Sequence, residues 1–300
     1  VNIGLLSCSR LPTKREVSGG LGKSAYDIAA GLAQRGHDLT LYGATGSVFE
    51  HGELVTVRDE MELIDRAAAG AHEVYFDYSH SHGLSEIHDG LKVVNCIGDR
   101  ETRYTPKNAV VASHYMQRLY STAKVIYTGI DVSMIPYHPE HDGYLVFMAR
   151  MNFQKGWDKA VHVSALTGLQ VHFIGPGGYG YGLDNYHGAL HGMDKWDLLG
   201  GALAMLAPYE GDASPRTPLE AAACGVPTIC LEGDGTSEHV IGGLTGYICE
   251  DARDMAEHVK PVKKLERQKI REWVEGNHSL TGSVELHERL LQQVAAGMEW

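Results

Sequence analysis

Three hundred residues that are 43% hydrophobic and 21% charged, with 36 glycines and 10 prolines, form a globular composition long enough for two domains with separate cores. Disorder, collagen and small disulfide scaffolds are excluded, and no apolar run approaches the ~18 to 20 residues of a membrane helix. The balance of 26 Lys plus Arg against 38 Asp plus Glu, net -12, argues against duplex nucleic acid, which is bound by neutralising its phosphates.

In chain order, Asn2 to Ser7 is a short apolar run that reads as a strand. No basic-then-apolar leader precedes it, so a cytoplasmic protein is the expectation. Leu21, Ala25, Ile28, Ala29 and Leu32 then recur at helical spacing, Gly36 supplies a stop, and Asp38 to Tyr42 reads as a second strand, completing a βαβ unit. Strand-like runs at Glu73 to Phe76, Lys92 to Cys96, Ala109 to Ala112 and Lys124 to Tyr127 alternate with helical stretches such as Tyr115 to Tyr120. That alternation predicts a doubly wound parallel sheet. Ser133 to Gly143, with two prolines and mixed charge, predicts an interdomain linker. A second α/β series follows: strands at Tyr144 to Ala149, Gln170 to Ile174, Leu203 to Ala207 and Pro227 to Leu231, with helices around Trp157 to Leu166, Trp196 to Leu199 and Leu219 to Cys224.

The expected division is therefore a first domain over 1–138, a second over 139–278, and a C-terminal helix over 279–300, whose Val284, Leu286, Leu290, Leu291 and Val294 suit packing on either domain, including a return to the first. The first 138 residues hold 13 basic and 16 acidic side chains and the remainder 13 and 22, so neither part suits an anionic membrane surface. Cys8, Cys96, Cys224, Cys230 and Cys249 are odd in number and lack a C-x-x-C pair, which predicts reduced core thiols.

Two glycine motifs invite a phosphate. Ser18-Gly19-Gly20-Leu21-Gly22-Lys23-Ser24 precedes the first helix, where free N–H groups and the helix dipole favour an anion. As a Walker A loop it has Val17 where glycine is required, and it starts some ten residues after its strand, so an ATPase is the weaker reading beside a nucleotide-binding or plain turn role. Gly175-Pro-Gly177-Gly-Tyr-Gly180 matches the dinucleotide fingerprint formally, but Tyr179-Gly180-Tyr181-Gly182 is a poor helix start.

The second domain carries the more specific set. Arg150 follows one strand and Lys155 comes five residues later, which puts two cations at the carboxyl edge of a parallel sheet, a place suited to an anion such as a diphosphate. Downstream, Tyr209-Glu210-Gly211-Asp212-Ala-Ser214-Pro-Arg216-Thr-Pro218-Leu219-Glu220 runs from a strand through a loop into a proline-started helix. A carboxylate at Glu220 can complement the helix dipole or accept two hydrogen bonds from vicinal hydroxyls.

In order and spacing, these landmarks resemble retaining glycosyltransferases of the GT-B fold, the group that includes glycogen, sucrose and sucrose-phosphate synthases and bacterial mannosyltransferases. The matching pieces are Gly19-Gly20-Leu21 with Arg35-Gly36-His37, Asp77-Tyr-Ser-His80-Ser-His82, Val125 through Asp131, Ala149-Arg150 with Lys155-Gly156, and Leu219-Glu220-Ala221 through Gly225-Val-Pro227, closed by Glu238 with Gly246. The resemblance implies an α/β fold of two Rossmann-like domains facing across a cleft. It also implies a metal-independent hexosyltransferase with no cofactor beyond its donor substrate, a nucleoside diphosphate sugar with a UDP-sugar favoured, and a small hydroxyl acceptor. Arg150 and Lys155 would clamp the leaving diphosphate, and Glu220 would bind ribose hydroxyls. Gly19 and Gly20 would approach the donor, His82 would meet its sugar, and Ser214 would stay among the donor-binding positions.

The family's first glutamate falls on Asp212, with Glu210 as the competitor, and the usual following glycines are Ala213, Ser214 and Pro215 here. No two aspartates are separated by a single residue, so the D-x-D metal clamp of the other glycosyltransferase fold is missing. The alternatives are an epimerase of the same fold, a sugar-nucleotide-binding protein impaired through the Asp212 loop, and the deviant Walker A ATPase.

Overall fold

The computed structural model describes residues 1–15, 19–88, 90–98, 102 and 104–300. The chain forms two compact units, Val1–Gly129 with Leu280–Trp300, and Ile130–Ser279.

The first unit holds β1 (Asn2–Leu6), α1 (Gly20–Gln34), β2 (Asp38–Ala44), β3 (Glu53–Val57), α2 (Glu60–Ala69), β4 (Val74–Asp77), α3 (Gly83–Ile87), β5 (Val93–Ile97), β6 (Ala109–Val111), α4 (His114–Leu119) and β7 (Lys124–Val125). The strands form one parallel sheet in the order β3-β2-β1-β4-β5-β6-β7. Alternating side chains feed two cores, because successive residues of a strand face opposite sides of a sheet. Ile3, Leu5, Leu39, Leu41, Val74 and Phe76 pack on the side of α1, whereas Leu6, Tyr42 and Tyr75 meet Leu63, Ile64 and Ala67 of α2. Such two-sided burial is what makes parallel strands read as continuous apolar runs.

The second unit begins before the expected 138/139 junction. Ile130, Val132 and Ile135 are buried in its core, and His138 N donates to Cys224 O at 3.0 Å. The Arg271 guanidinium donates to the carbonyls of Val132 (3.1 Å), Ile135 (2.9 Å) and Ala223 (2.7 Å). Composition alone makes 133–143 resemble a linker; buried Ile135 and the segment's backbone hydrogen bonds to the rest of the second unit, including Asp142 N to Gly201 O at 2.8 Å, make it part of that unit instead.

There, β8 (Leu145–Met148), α5 (Trp157–Thr167), β9 (Val171–Ile174), α6 (Gly192–Gly200), β10 (Ala204–Ala207), α7 (Thr217–Ala223), β11 (Thr228–Leu231), β12 (Gly246–Cys249), α8 (Ala252–Val262) and α9 (Arg267–Asn277) surround a five-stranded parallel sheet ordered β12-β11-β10-β8-β9. The last helix, α10 (Leu280–Ala295), belongs to the first unit, where Val284, Leu290, Leu291 and Val294 are buried beside Ile28 and Leu32 of α1. A Cβ at Gly31 would lie 2.4 Å from Val284 Cγ2, so glycine is what lets α1 and α10 approach there.

Strand order reverses at β1/β4 in the first unit and at β8/β10 in the second. The carboxyl ends at such switch points open into ligand crevices in doubly wound folds. All five cysteines are free and buried. No described helix is long and apolar enough to cross a membrane.

Candidate functional site

The loops after β8 and β10 carry the charged residues singled out in the second unit. Asn152 Oδ1 accepts from Lys155 N at 2.9 Å and starts the short 3-10 turn Phe153–Lys155. Gly156 follows with φ +69°, and a Cβ on it would stand 2.3 Å from Pro208 O, so this turn can nest against the β10 loop only with glycine. Tyr209, fully buried, donates its Oη hydrogen to Met148 O at 2.8 Å, which ties the β10 loop to the end of β8, and lies 3.0 Å from Thr217 Oγ1. Burial pushes its phenol far above the ordinary range.

On this frame Lys155 Nζ forms an ion pair with the Asp212 carboxylate and lies 4.8 Å from the centre of the Tyr209 ring. Glu210, the competitor for the same role, turns outward and pairs with Lys159 at 2.9 Å. Asp212 N donates to Asp234 Oδ2 and Thr236 N to Asp234 Oδ1, both at 2.8 Å, while Gly235 N donates to Asp212 O at 2.9 Å. Burial raises the Asp234 pKa despite those hydrogen bonds, with the Asp212 charge adding to it. Ser214 Oγ sits 2.8 Å from Nε2 of His239, whose burial, reinforced by His278, pushes its pKa down to about 3, so the hydroxyl faces a neutral imidazole.

Glu220 occupies the first turn of α7 and receives Lys195 Nζ at 2.8 Å on Oε2. Arg150 is exposed, and its guanidinium makes no hydrogen bond or ion pair with the described residues. Lys155 and Asp212 are thus brought together, Ser214 and Glu220 each have partners elsewhere on the same unit, and Arg150 stays open at the end of β8.

The glycine fingerprint at 175–180 has a packing explanation. Gly175 has φ +140°, and a Cβ there would stand 1.9 Å from Ala149 O; at Gly178 it would meet the Tyr186 ring at 2.5 Å. The next helix is α6, well downstream.

In the first unit, Gly19 is the N-cap of α1 and Gly20 its first residue, both exposed. A Cβ on Gly20 would meet nothing within 4 Å, so packing does not demand glycine there. Ser18 and Val17 lie outside the described residues. Lys23 pairs with Asp27 one turn along the helix.

His82 is buried and caps α3 in the left-handed region at φ +50°, a conformation non-glycine residues hold only when surroundings enforce it. Its Nδ1 lies 4.0 Å from Asp77 Oδ1; that nitrogen and Asp77 Oδ2 are buried without a hydrogen-bond partner among the described residues. Ser79 N donates to Asp77 Oδ1 at 2.8 Å and His82 N to Ser79 Oγ at 3.2 Å, which fixes the loop.

Sequence reasoning missed a neighbouring group at the β1/β4 edge. Glu60 accepts from Ser9 Oγ and from Ser81 N (3.2 Å) and Oγ (2.7 Å). Burial raises its pKa, but these hydrogen bonds outweigh burial and hold the carboxyl below its ordinary value. Cys8 Sγ lies 3.4 Å from His80 Nε2; burial acts upward on this thiol too, and the His80 contact with backbone N–H donors brings it below the usual range. Neither group has a local sequence pattern, because 51 residues separate Ser9 from Glu60 and 72 separate Cys8 from His80.

One cluster of metal-ligand types occurs among the described residues: Cys249, Asp254 and His258. His258 Nδ1 lies 2.9 Å from Asp254 O, and Asp254 Oδ2 accepts from Glu250 N at 3.0 Å, so these groups organise the first turns of α8.

Residues 135–277 match the family model described as glycosyl transferases group 1. The matched stretch lies within the second unit and contains Arg150, Lys155, Asp212, Ser214 and Glu220. No curated protein matches the chain. Among solved structures it is similar to AviGT4, a glycosyltransferase involved in avilamycin A biosynthesis, at 19% identity and TM-score 0.81, covering 100% of this chain and 99% of that one. Sucrose-phosphate synthase from Thermosynechococcus elongatus follows at 14% identity and TM-score 0.79, covering 99% and 100%. HepE of Anabaena, in complex with UDP and glucose, has 14% identity and TM-score 0.76, covering 97% and 99%. At these identities the likeness establishes the fold: two Rossmann-like units of the GT-B type.

Proposed function

We propose that this chain is a retaining glycosyltransferase that moves a hexose from a nucleoside diphosphate sugar, a UDP-sugar favoured, to a hydroxyl acceptor without a divalent metal. The observation that carries this is the pair of cations at the β8/β10 switch point: Arg150 open to an incoming anion, and Lys155 held by Asp212 and Tyr209. The group 1 match over the second unit supports it, as does the fold shared with AviGT4 and with HepE, which is also known in complex with UDP-glucose.

In this reading Arg150 and Lys155 receive the diphosphate and stabilise the negative charge that grows on it as the bond from sugar C1 to the phosphate oxygen breaks. Lys155 exchanges Asp212 for phosphate, and Asp212 and Ser214 turn to the sugar hydroxyls. Glu220 accepts from the ribose. Gly19, Gly20 and His82 are this reading's donor-binding candidates in the first unit. The acceptor oxygen bonds to C1 on the face the diphosphate leaves, and its proton passes to a diphosphate oxygen, so charge and atoms balance.

A thermal-shift series with UDP, GDP, ADP and their sugars identifies the donor, since a ligand that binds only the folded state raises its apparent stability. With donor and acceptor in hand, Arg150→Ala and Lys155→Ala should each lower kcat by roughly 10²- to 10³-fold, the loss typical of a removed charge-stabilising donor. Lys23→Ala should leave turnover near wild type. Equal activity of all three variants, or product with inverted anomeric configuration by NMR, sinks the proposal. The Ala213-Ser214-Pro215 departure favours a second reading, nucleotide binding without turnover, recognised by a measurable Kd with no product from any acceptor.

A further inference from the structure

Three carboxylates of the β10–α7 region each have their own lysine. Lys159–Glu210 is a rim pair, with Glu210 61% exposed, and such pairs contribute little. Lys155–Asp212 belongs to the diphosphate clamp already described. Lys195–Glu220 differs from both: its side chains are 18% and 13% exposed, it joins α6 to α7 across 25 residues of sequence, and the ammonium also lies 4.2 Å from the centre of the Trp196 ring. A carboxylate this far out of water is costly without a counter-charge, and removing one partner of such a pair is far worse than never having had the pair.

The second unit also carries more acidic than basic side chains, and a nucleoside diphosphate brings further negative charge. A carboxylate that must stay ionised and correctly turned to accept from hydroxyls beside that ligand needs both balance and orientation. Lys195 supplies them from an element that carries neither Arg150 nor Lys155.

We propose that Lys195 is a positioning residue of the nucleotide site: by holding Glu220 Oε2 it sets the carboxylate to accept from ribose hydroxyls, and it thereby governs discrimination between ribo- and deoxyribonucleotides. The inference rests on the transferase reading, in which Glu220 meets the ribose.

Calorimetric titration with UDP and 2′-deoxy-UDP, and with the guanine and adenine pairs in turn, tests it on the wild type, Lys195→Met, Lys195→Arg and Glu220→Gln. The wild type should prefer the ribose form. Lys195→Met should lower UDP affinity roughly ten- to a hundredfold, the range for a lost charged hydrogen bond, while 2′-deoxy-UDP loses less. The ratio of the two should then approach that of Glu220→Gln, and Lys195→Arg should recover most of it. Should Lys195→Met fail to fold, Lys195→Gln, which keeps a donor without the charge, carries the same expectation.

Equal weakening of both nucleotides by Lys195→Met marks a merely structural lysine and overturns the inference, as does no change in either. A wild type that binds UDP but keeps its ribose preference in Glu220→Gln overturns it while leaving the transferase reading in place. A wild type that binds none of the three ribonucleotides overturns that reading as well.

Discussion

The Tyr209 hydroxyl ties the loop after β10 to the last residue of β8, 61 residues earlier in the chain, through its hydrogen bond to Met148 O. Tyr209→Phe keeps the ring under Lys155 but leaves a buried carbonyl without its donor, so about 1–3 kcal/mol of stability should be lost in urea denaturation. Two histidines give an acid limb to the stability curve. Burial lowers the pKa of His287 to about 4 and that of His239 to about 3, against the ordinary value of 6.5. Below about 6.5 the unfolded chain takes up protons that the folded chain refuses, so stability is full above that pH. It falls as pH drops toward 4 for His287 and toward 3 for His239, by roughly 3 kcal/mol or more for each. His287→Gln should flatten part of the melting-temperature decline between pH 6.5 and 4; an unchanged slope would show that the imidazole titrates normally. Arg150, Lys155 and Glu220 were legible as charged positions at strand-to-helix junctions, and the structure places them there; the chemistry assigned to them belongs to the proposal. Lys195 was not, since nothing near it in sequence announces a partner 25 residues away.

Among the elements, the buried strands were legible, as was half-buried β7, whereas β3 and β12 were not. Val74–Asp77 and Leu145–Met148 are fully buried, and apolar apart from the terminal Asp77, whereas β3 reads Glu-Leu-Val-Thr-Val with a half-exposed pattern at the sheet edge. Strand β12 opens on Gly246 at φ +158°, close against Thr228 O, a packing need that looks like a loop signal in sequence. Helix α10 shows an apolar stripe without naming its partner; the partner is settled by space at Gly31. Gly31→Ala should cost about 1–3 kcal/mol as the added methyl displaces Val284. Combining it with Val284→Ala should recover part of that loss, a coupling expected only of residues in contact. Simple additivity in the double variant would mean that α10 does not press on α1 at this point.

For the molecule entire, both sheets gather their candidate site residues at the place where strand order turns around. Cys8, Glu60, His80 and His82 gather beyond β1 and β4, and Lys155, Asp212 and Asp234 beyond β8, β10 and β11. Two alternating βα series made this architecture readable from periodicity. The junction between units was misread because proline and charge imitate a tether where Ile130, Val132 and Ile135 are interior. That same junction has an evolutionary corollary. Ile130 bridges to Ser279 and its N–H reaches His278 O at 2.9 Å, so the entrance and exit of the second unit are adjacent. It is a self-closed insert in the chain of the first, a cassette that recombination could exchange whole while the host fold keeps its own interior and its own C-terminal helix.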